Sequence, residues 1–547
     1  MADPLSDLTK RLTKLPLEAQ ALVTIVRSGM LGPEPPLRLV QIFQALDRYG
    51  AFGGAVTIAA LRHGDRPGIV DELGALTFDE LDRRSNALAN AWRARGVGPD
   101  TGVGILCRNH RGMLDATFAA AKSGARALFL NTDFAARQAE EVCAREGVEV
   151  IVYDEEFTSI VAGVDAPRGR FVAWVDDGAG DVPTIESLIA TGNAAAPPAP
   201  ARAGRVVILT SGTTGTPKGA NRETPRSLTV PAAILSRVPF RAREATYVAP
   251  PLFHAWGLAN TVLAIGLGST VVTRRRFDPE ATLTALAEHR CTGLAVVPVI
   301  LNRLLGVGEE RIAQLDLSAL RIIACSGAQL EGALATRAMD VFGDVVYNLY
   351  GSTEVAYATI ADPTDLRAAP GTVGKPPLGT SVRILDEAGN RVAEGTTGRI
   401  FVNNGQEFEG YTGGGGKEVI DNHMSTGDVG HFDEHGRLFV DGRDDEMIVS
   451  GGENVFPREI EELLAAHEAI EEAAAIGVTD AEFGQRLRAF VVVRQGYELD
   501  ADAVKDHVKE NLARYKVPRD VVFLEQLPRN PSGKVLKREL VEIEIES

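Results

Sequence analysis

An apolar run, Val206-Val207-Ile208-Leu209, leads directly into TSGTTGTPKG at Thr210 to Gly219, ten residues that carry five hydroxyls, three glycines and one lysine. A buried strand opening into such a loop constrains the fold more than any other stretch of this chain. Glycines let backbone amides converge on an anion, Ser211, Thr213, Thr214 and Thr216 add donors, and Lys218 adds a compact positive charge. The composition is that of a phosphate cradle. A Walker A loop needs Ser or Thr after its lysine to hold magnesium, whereas Lys218 is followed by Gly219. The chain is therefore expected to bind a nucleoside triphosphate on a fold other than that of the P-loop NTPases.

At 547 residues the chain exceeds what one hydrophobic core supports, so two or more domains are expected. A formal net charge of -17 opposes general nucleic-acid binding, and an anionic substrate must meet locally placed cations. Cys107, Cys143, Cys291 and Cys325 form no CxxC pair, which disfavours a zinc site or a disulfide framework and fits a reducing cytoplasm. No secretory signal is expected at the N-terminus. The longest uncharged run, Thr246 to Thr273, is broken by Pro250, Pro251, His254 and Asn260, so it predicts a buried helix and strand rather than a membrane span.

Residues 1–55 read as a helical extension interrupted by the breaker Gly32 to Pro36; Lys10, Arg11 and Lys14 beside Leu8, Leu12 and Leu15 allow either a packed leading helix or peripheral contact with a membrane surface. From Pro67 to about Asn193, short β-rich runs alternate with helical ones, which predicts a parallel sheet in an α/β layer. Ala194 to Ala203, rich in Ala and Pro, reads as a linker. A second alternation through Leu294–Val297, Ile322–Ala324 and Val345–Leu349 predicts a second α/β unit, and short strands after Pro376 predict a small β subdomain. The expected fold class is α/β: a large N-terminal domain, 56–443, of two stacked α/β subdomains plus the small β subdomain, and a mobile α+β C-terminal domain, 444–547.

Four further motifs follow the phosphate loop: YGSTE at Tyr350 to Glu354, STGD at Ser425 to Asp428, GRDDEMIVSGGENV at Gly442 to Val455 and NPSGK at Asn530 to Lys534. In order and spacing they resemble the ANL superfamily of adenylate-forming enzymes over roughly positions 55 to 540, and within it a fatty acyl-CoA synthetase. The resemblance implies an acid–thiol ligase that uses ATP, Mg2+ and coenzyme A. A carboxylate is a poor electrophile; attack of its oxygen on the α-phosphate gives acyl-AMP and pyrophosphate, and a thiol then displaces AMP. Charge gathers on the phosphates, so fixed cations and amide donors aimed there are the main requirement.

Carried over residue by residue, the resemblance gives Thr210, Ser211, Gly212, Thr213, Thr214, Gly215 and Lys218 to the β- and γ-phosphates, and Glu354 to magnesium, for which an oxygen ligand is suited. Ser326, Gly327, Ala328 and Asn348 would line the base pocket, with Tyr350, Gly351, Ser352 and Thr353 stacking on and flanking the adenine. Asp428 and Arg443 would hold the ribose. Lys534 would bridge the acyl carboxylate and the α-phosphate. Asp445 is the expected hinge about which Lys534 leaves and Gly451 and Gly452 approach with the pantetheine arm; Arg514 and Lys516 would meet the nucleotide end of CoA. Phe253 to Gly257 would border the acyl pocket, with His254 positioning the carboxylate, Trp256 gating an acyl tunnel and Val297 lining it.

The chain departs from the family pattern in the polar stretch Gly410 to Met424 and in Ser425, which replaces a basic residue. Arg274-Arg275-Arg276 reads either as a phosphate or anionic-lipid contact or as a solvated turn. Two other readings stand beside the CoA ligase: a fatty acyl-AMP ligase that loads a carrier protein, and a silent acyl- or nucleotide-binding protein. An obvious insertion between Gly374 and Gly398, which the former would carry, is not seen, and the presence of Glu354, Asp428, Arg443 and Lys534 opposes the latter.

Overall fold

The computed structural model describes residues 4–178, 180–210, 218–222, 228–406, 408–411, 416–444, 448–450, 453–455, 457–480, 484–512, 516–530 and 533–543. Two long helices lead, Pro4–Ser28 and Pro36–His63, separated at the expected breaker. The second runs past residue 55, kinks at Gly50 (φ 73°), and enters the body of the molecule: Tyr49 Oη donates to the Pro197 carbonyl at 2.6 Å, and Val56 and Ala59 join the core. Ala21 and Ile25 of the first helix are buried against Ala232, Ala233 and Leu235 of the helix Thr229–Arg237. The leading helix is thus packed along one face. Leu22, Val23 and Val26 of this helix and Leu37, Leu39, Val40, Phe43 and Leu46 of the second are between 37% and 73% exposed.

Both α/β units are present, but they do not divide at the spacer. One seven-stranded sheet orders Phe408–Tyr411, Lys218–Arg222, Arg205–Thr210, Arg126–Phe129, Gly102–Leu106, Val148–Asp154 and Gly169–Trp174. The strand before the phosphate loop therefore belongs to the first unit. The eight-stranded sheet orders Thr359–Ala361, Val346–Tyr350, Ile322–Cys325, Gly293–Val296, Ala245–Val248, Thr270–Val272, Pro67–Asp71 and Gly74–Thr77, so the first two strands of the chain cross to the edge of the second unit. The central parallel strands of both sheets are apolar runs, the pattern of a sheet covered on both faces; Gly102–Leu106 is buried at every position.

The expected linker is a strap. Asn90 Nδ2 donates to the carbonyls of Asn193 at 2.7 Å and Ala195 at 2.9 Å, and Tyr49 holds Pro197. Backbone acceptors fix this segment, and a run of Ala and Pro leaves no side-chain pattern by which to foresee it.

A small β unit pairs Ser381–Leu385, Gly398–Asn403 and His423–Phe432 antiparallel, with Val419–Ile420 and Leu438–Arg443 both on the last of these. The C-terminal unit has a five-stranded sheet of its own, Glu453–Val455, Ile448–Ser450, Gly484–Val493, Ile470–Asp480 and Asp520–Phe523, and a separate core that includes Ile448, Ile460, Leu464, Leu487, Val491 and Val504. A separate core is what a body that moves as one piece requires. Among the described residues no helix is long and apolar enough to cross a membrane.

Candidate active site

Four adjacent parallel strands of the eight-stranded sheet end on the same side. After Ala245–Val248 comes the turn to His254, after Gly293–Val296 comes Val297, after Ile322–Cys325 come Ser326 and Gly327, and after Val346–Tyr350 come Gly351 to Glu354. In open α/β sheets ligands bind beyond the carboxyl ends of the strands. The topology thus gathers four of the sequence-predicted segments at one rim.

At that rim Tyr350 Oη donates to Asp428 Oδ2 at 2.5 Å, across 78 positions of sequence. Asp428 arrives on His423–Phe432, and its register partner on the next strand is Arg443, whose Nη1 lies 3.6 Å from Asp428 Oδ1. Burial pushes the Asp428 carboxyl above its ordinary value, opposed by the Tyr350 hydrogen bond and the charges of Arg443, Lys534 and Lys417. Burial, with the Asp428 charge, holds the Tyr350 hydroxyl well above 10, so it stays a donor. Lys417 escaped the sequence reading: its ammonium lies within 3.3 Å of where a Cβ on Gly427 would stand. It sits in the polar stretch flagged as a departure, but nothing in that stretch named its partner.

The turn after Tyr350 is built tightly. A Cβ on Gly351 would fall 2.2 Å from the Ala356 carbonyl oxygen, and Ser352 Oγ accepts from the amides of Glu354 and Val355 at 3.2 and 3.3 Å. Glu354 and Thr353 are half-buried on this turn. Gly327 takes φ +89° with Val297 Cγ1 3.1 Å from its would-be Cβ, which brings the segment Ser326 to Ala328 against Val297. Asn348 is buried and its amide reaches the Thr372 carbonyl at 3.5 Å, so it sits within the wall.

On the acyl side His254 stands at the N-terminus of the helix Ala255–Gly266. Its Nε2 is buried without a hydrogen-bond partner, and burial pulls its pKa down to about 4, so the ring is neutral at pH 7. Trp256 Nε1 donates to the Val296 carbonyl at 3.0 Å, so the indole expected to gate is anchored to the strand before Val297. Asn109, not foreseen, clamps the turn before His254: Nδ2 donates to the Pro250 carbonyl at 2.9 Å, and Oδ1 accepts from the Leu252 amide at 2.8 Å.

Lys534 comes from the C-terminal unit in a closed loop. Asn530 Oδ1 accepts its amide at 2.9 Å, Gly533 at φ +82° donates to the Asn530 carbonyl at 2.8 Å, and Arg529 joins the Gly533 carbonyl (2.6 Å) to Glu472 (2.9 Å). A Cβ on Gly533 would lie 2.5 Å from Val299 Cγ1 and 3.4 Å from Val297 Cγ2. The loop is therefore docked on the large unit beside Gly327, and the Lys534 charge is felt at Asp428. Lys516 is instead ion-paired with Glu459 of the helix Pro457–Ala465. Ser211, Gly212, Thr213, Thr214, Gly215, Asp445, Gly451, Gly452 and Arg514 lie outside the described residues. Thr210 and Lys218 pair in antiparallel register, so the two ends of the phosphate loop stand side by side.

The AMP-binding enzyme family matches residues 56–412, and the AMP-binding enzyme C-terminal domain matches residues 459–534. This chain belongs to the AMP-binding enzymes. It is similar to a feruloyl-CoA synthase from Amycolatopsis (35% identical, covering 88% of this chain and 95% of the relative) and to an indoleacetate–CoA ligase from Aromatoleum aromaticum (34%, 84% and 92%). A long-chain-fatty-acid–CoA ligase from Mycobacterium tuberculosis is 29% identical (85% and 93%). Among solved structures, o-succinylbenzoate CoA synthetase from Bacillus subtilis, bound to its acyl-adenylate, matches with TM-score 0.77 at 25% identity over 90% of this chain and 98% of that one. The activity of this AMP-binding enzyme is that of an adenylate-forming acid–thiol ligase using ATP and CoA.

In this AMP-binding enzyme magnesium would be held by Glu354. One half-buried carboxylate on a turn of hydroxyl residues offers oxygen to a hard cation, which would supply charge neutralisation there. The one cluster of three close metal-type donors among the described residues, Cys107, His110 and Asp154, is fully buried and closed on itself: His110 Nε2 meets Asp154 Oδ1 at 2.7 Å, and the Arg108 amide donates to Asp154 Oδ2 at 2.9 Å. The arginine cluster is a largely solvated bend before the helix Pro279–Glu288, with Arg274 and Arg276 exposed, and its cations are ion-paired. Arg275 Cζ lies 4.5 Å over the Trp174 ring and pairs with Glu156 and Asp176, Arg276 pairs with Glu156, and Arg274 lies 4.0 Å from Glu72. The acids that neutralise it lie about 100 to 200 positions away, beyond the reach of local charge patterning.

Proposed function

We propose that this AMP-binding enzyme makes the CoA thioester of a carboxylate whose acyl chain is uncharged and predominantly apolar, in two steps served by one C-terminal domain. The observation that carries the reading is the docked Lys534 loop on Val297 and Val299, beside the Tyr350–Asp428–Arg443 platform. In the first step Tyr350 and the segment Ser326 to Ala328 hold the adenine, Asp428 and Arg443 hold the ribose, and the phosphate loop with Lys218 holds the triphosphate. Lys534 brings one ammonium to both the carboxylate and the α-phosphate, aligning the attack and neutralising charge as it builds. Preorganised charge of this kind contributes roughly 3 to 4 kcal/mol per contact. Magnesium, when bound at Glu354, neutralises phosphate charge. In the second step the domain turns about Asp445, Lys534 withdraws, and Gly451 and Gly452 line the path of the thiol, which attacks the acyl carbonyl and expels AMP.

The neutral His254, buried without a hydrogen-bond partner, and the packing of Trp256 and Val297 in apolar clusters favour an uncharged acyl group. A fatty acid is the expected substrate; the feruloyl and indoleacetate relatives support an aryl acid as the second reading. An acid series of increasing chain length and an aryl series, assayed with ATP and magnesium with and without CoA for pyrophosphate, AMP and thioester, tests both. CoA-dependent AMP release with thioester supports the ligase; pyrophosphate exchange without thioester supports the carrier-loading alternative; no turnover with either series defeats the proposal. Four buried free cysteines fit a reducing cytoplasm. The exposed apolar side chains of the two leading helices are the proposed face for peripheral membrane contact, tested by co-sedimentation with anionic vesicles of wild type and Phe43→Glu.

A further inference from the structure

One cation beside the Tyr350–Asp428–Arg443 platform has no task in the two steps. Lys417 stands at the foot of a tight hairpin whose central residues, Asp421 and Asn422, both take positive φ (47° and 61°), the turn that matches strand twist. Val419–Ile420 pairs antiparallel with His423 and Met424, and the Ser425 amide donates to the Glu418 carbonyl at 2.9 Å. Glu418 is held a second time, its carboxylate ion-paired with Arg399. The same register, carried one step further, sets Lys417 opposite Thr426 and next to Gly427, on the strand that bears Asp428.

Gly427 turns there with φ +82° and leaves a gap. Lys417 Nζ lies 3.3 Å, and Arg443 Nη2 3.5 Å, from the place a Cβ on Gly427 would take, so an ammonium and a guanidinium face one point. Arg443 Nη1 is 3.6 Å from Asp428 Oδ1, whereas among the described residues no hydrogen bond or ion pair holds the half-buried Lys417 ammonium. Two like charges that meet beside a single carboxylate repel unless an acceptor lies between them. A ribose hydroxyl is such an acceptor, and it also has a proton to give. The Asp428 carboxylate can only accept, so it takes hydroxyl protons and leaves the oxygen lone pairs to the cations.

We propose that Lys417 is a nucleotide-binding residue: its ammonium donates to the oxygen of a ribose hydroxyl whose proton Asp428 accepts, with Arg443 serving the neighbouring hydroxyl. The proposal rests on the reading that Asp428 and Arg443 hold the ribose. Lys417 belongs to the large domain, so unlike Lys534 it stays through both half-reactions and favours neither. A charged donor on a neutral oxygen, at a half-buried and partly screened position, is expected to contribute about tenfold in affinity.

The test measures binding of AMP, 2′-deoxy-AMP and 3′-deoxy-AMP to the full-length enzyme by titration calorimetry, which needs no acyl substrate. Wild type is compared with Asp428→Asn, Lys417→Arg and Lys417→Met, the last of which keeps the apolar stem without the charge. Wild type should bind AMP about tenfold or more tighter than at least one deoxy analogue. Lys417→Met should lose about tenfold on AMP and little on that analogue, which brings the two together, and Lys417→Arg should keep most of the preference. Equal weakening of AMP and both analogues in Lys417→Met would make the lysine a general attractor of anions and overturns the proposal. So does wild-type affinity and preference in Lys417→Met. If wild type shows no preference, or Asp428→Asn keeps it, the ribose reading of the platform itself fails, an outcome separate from the behaviour of the Lys417 variants.

Discussion

The two halves of the site are held by different means. The Tyr350–Asp428–Arg443 platform is fixed within the large domain: strand register sets Asp428 opposite Arg443, and a buried hydroxyl joins Asp428 to the neighbouring sheet. Lys534 is fixed only within its own loop, by Asn530 and Arg529, and reaches the platform through packing of Gly533 on Val299 and the Gln329–Glu462 hydrogen bond. A binding surface built into a core is present in both steps. A group delivered by docking is present in one. On the proposed function, the difference makes nucleotide recognition and catalysis of adenylation separable, and substitutions are expected to pull them apart.

The largest separation is expected from Lys534→Ala. Its rate of acyl-AMP formation should fall about 10² to 10³-fold, while thioester formation from supplied acyl-AMP stays near wild type. Asp428→Asn should instead weaken both half-reactions together, by roughly 10 to 100-fold in apparent nucleotide affinity, since a charge-assisted hydrogen bond contributes about 1.5 to 3 kcal/mol; an effect confined to one step would break the contrast. Gly351→Ala acts on the platform through sterics alone. Backbone 2.2 Å from the new methyl must move, and denaturant melts should show a loss of about 1 to 3 kcal/mol.

His254 gives a smaller, pH-dependent effect. Its folded pKa of about 4 lies below the ordinary 6.5, so the unfolded chain takes up the proton first and stability falls as pH drops through 6.5 toward 4. Melts of wild type and His254→Gln should therefore diverge on acidification, by about 2 kcal/mol at pH 5, with the variant the less pH-sensitive. Parallel curves would place the imidazole in water.

Much of this was legible in the sequence because the motifs are local. Tyr350, Asp428, Arg443 and Lys534 each sit in a short pattern that names them, and strand–helix alternation announced both α/β units. What the chain order hid was pairing at a distance. Pro67–Asp71 reads as the start of the first unit yet hydrogen-bonds to Thr270–Val272, in the second. Asn109 clamps a turn 141 positions away, Arg275 meets acids that follow strands of the other sheet, and Gln329 meets Glu462 of a separate domain. No local periodicity or composition encodes those meetings; tertiary contact creates them.

One measurement bears most directly on the claim that the docked domain must leave before CoA reacts. Cysteines at Gln329 and Glu462, whose side chains hydrogen-bond across the two domains, can be bridged by a short reducible bis-methanethiosulfonate linker, and the four native cysteines are buried and out of its reach. The bridged enzyme should release pyrophosphate in a single burst with acyl-AMP retained, form no thioester, and recover full turnover on reduction. Thioester formation at the unbridged rate, with the link intact, would contradict the account.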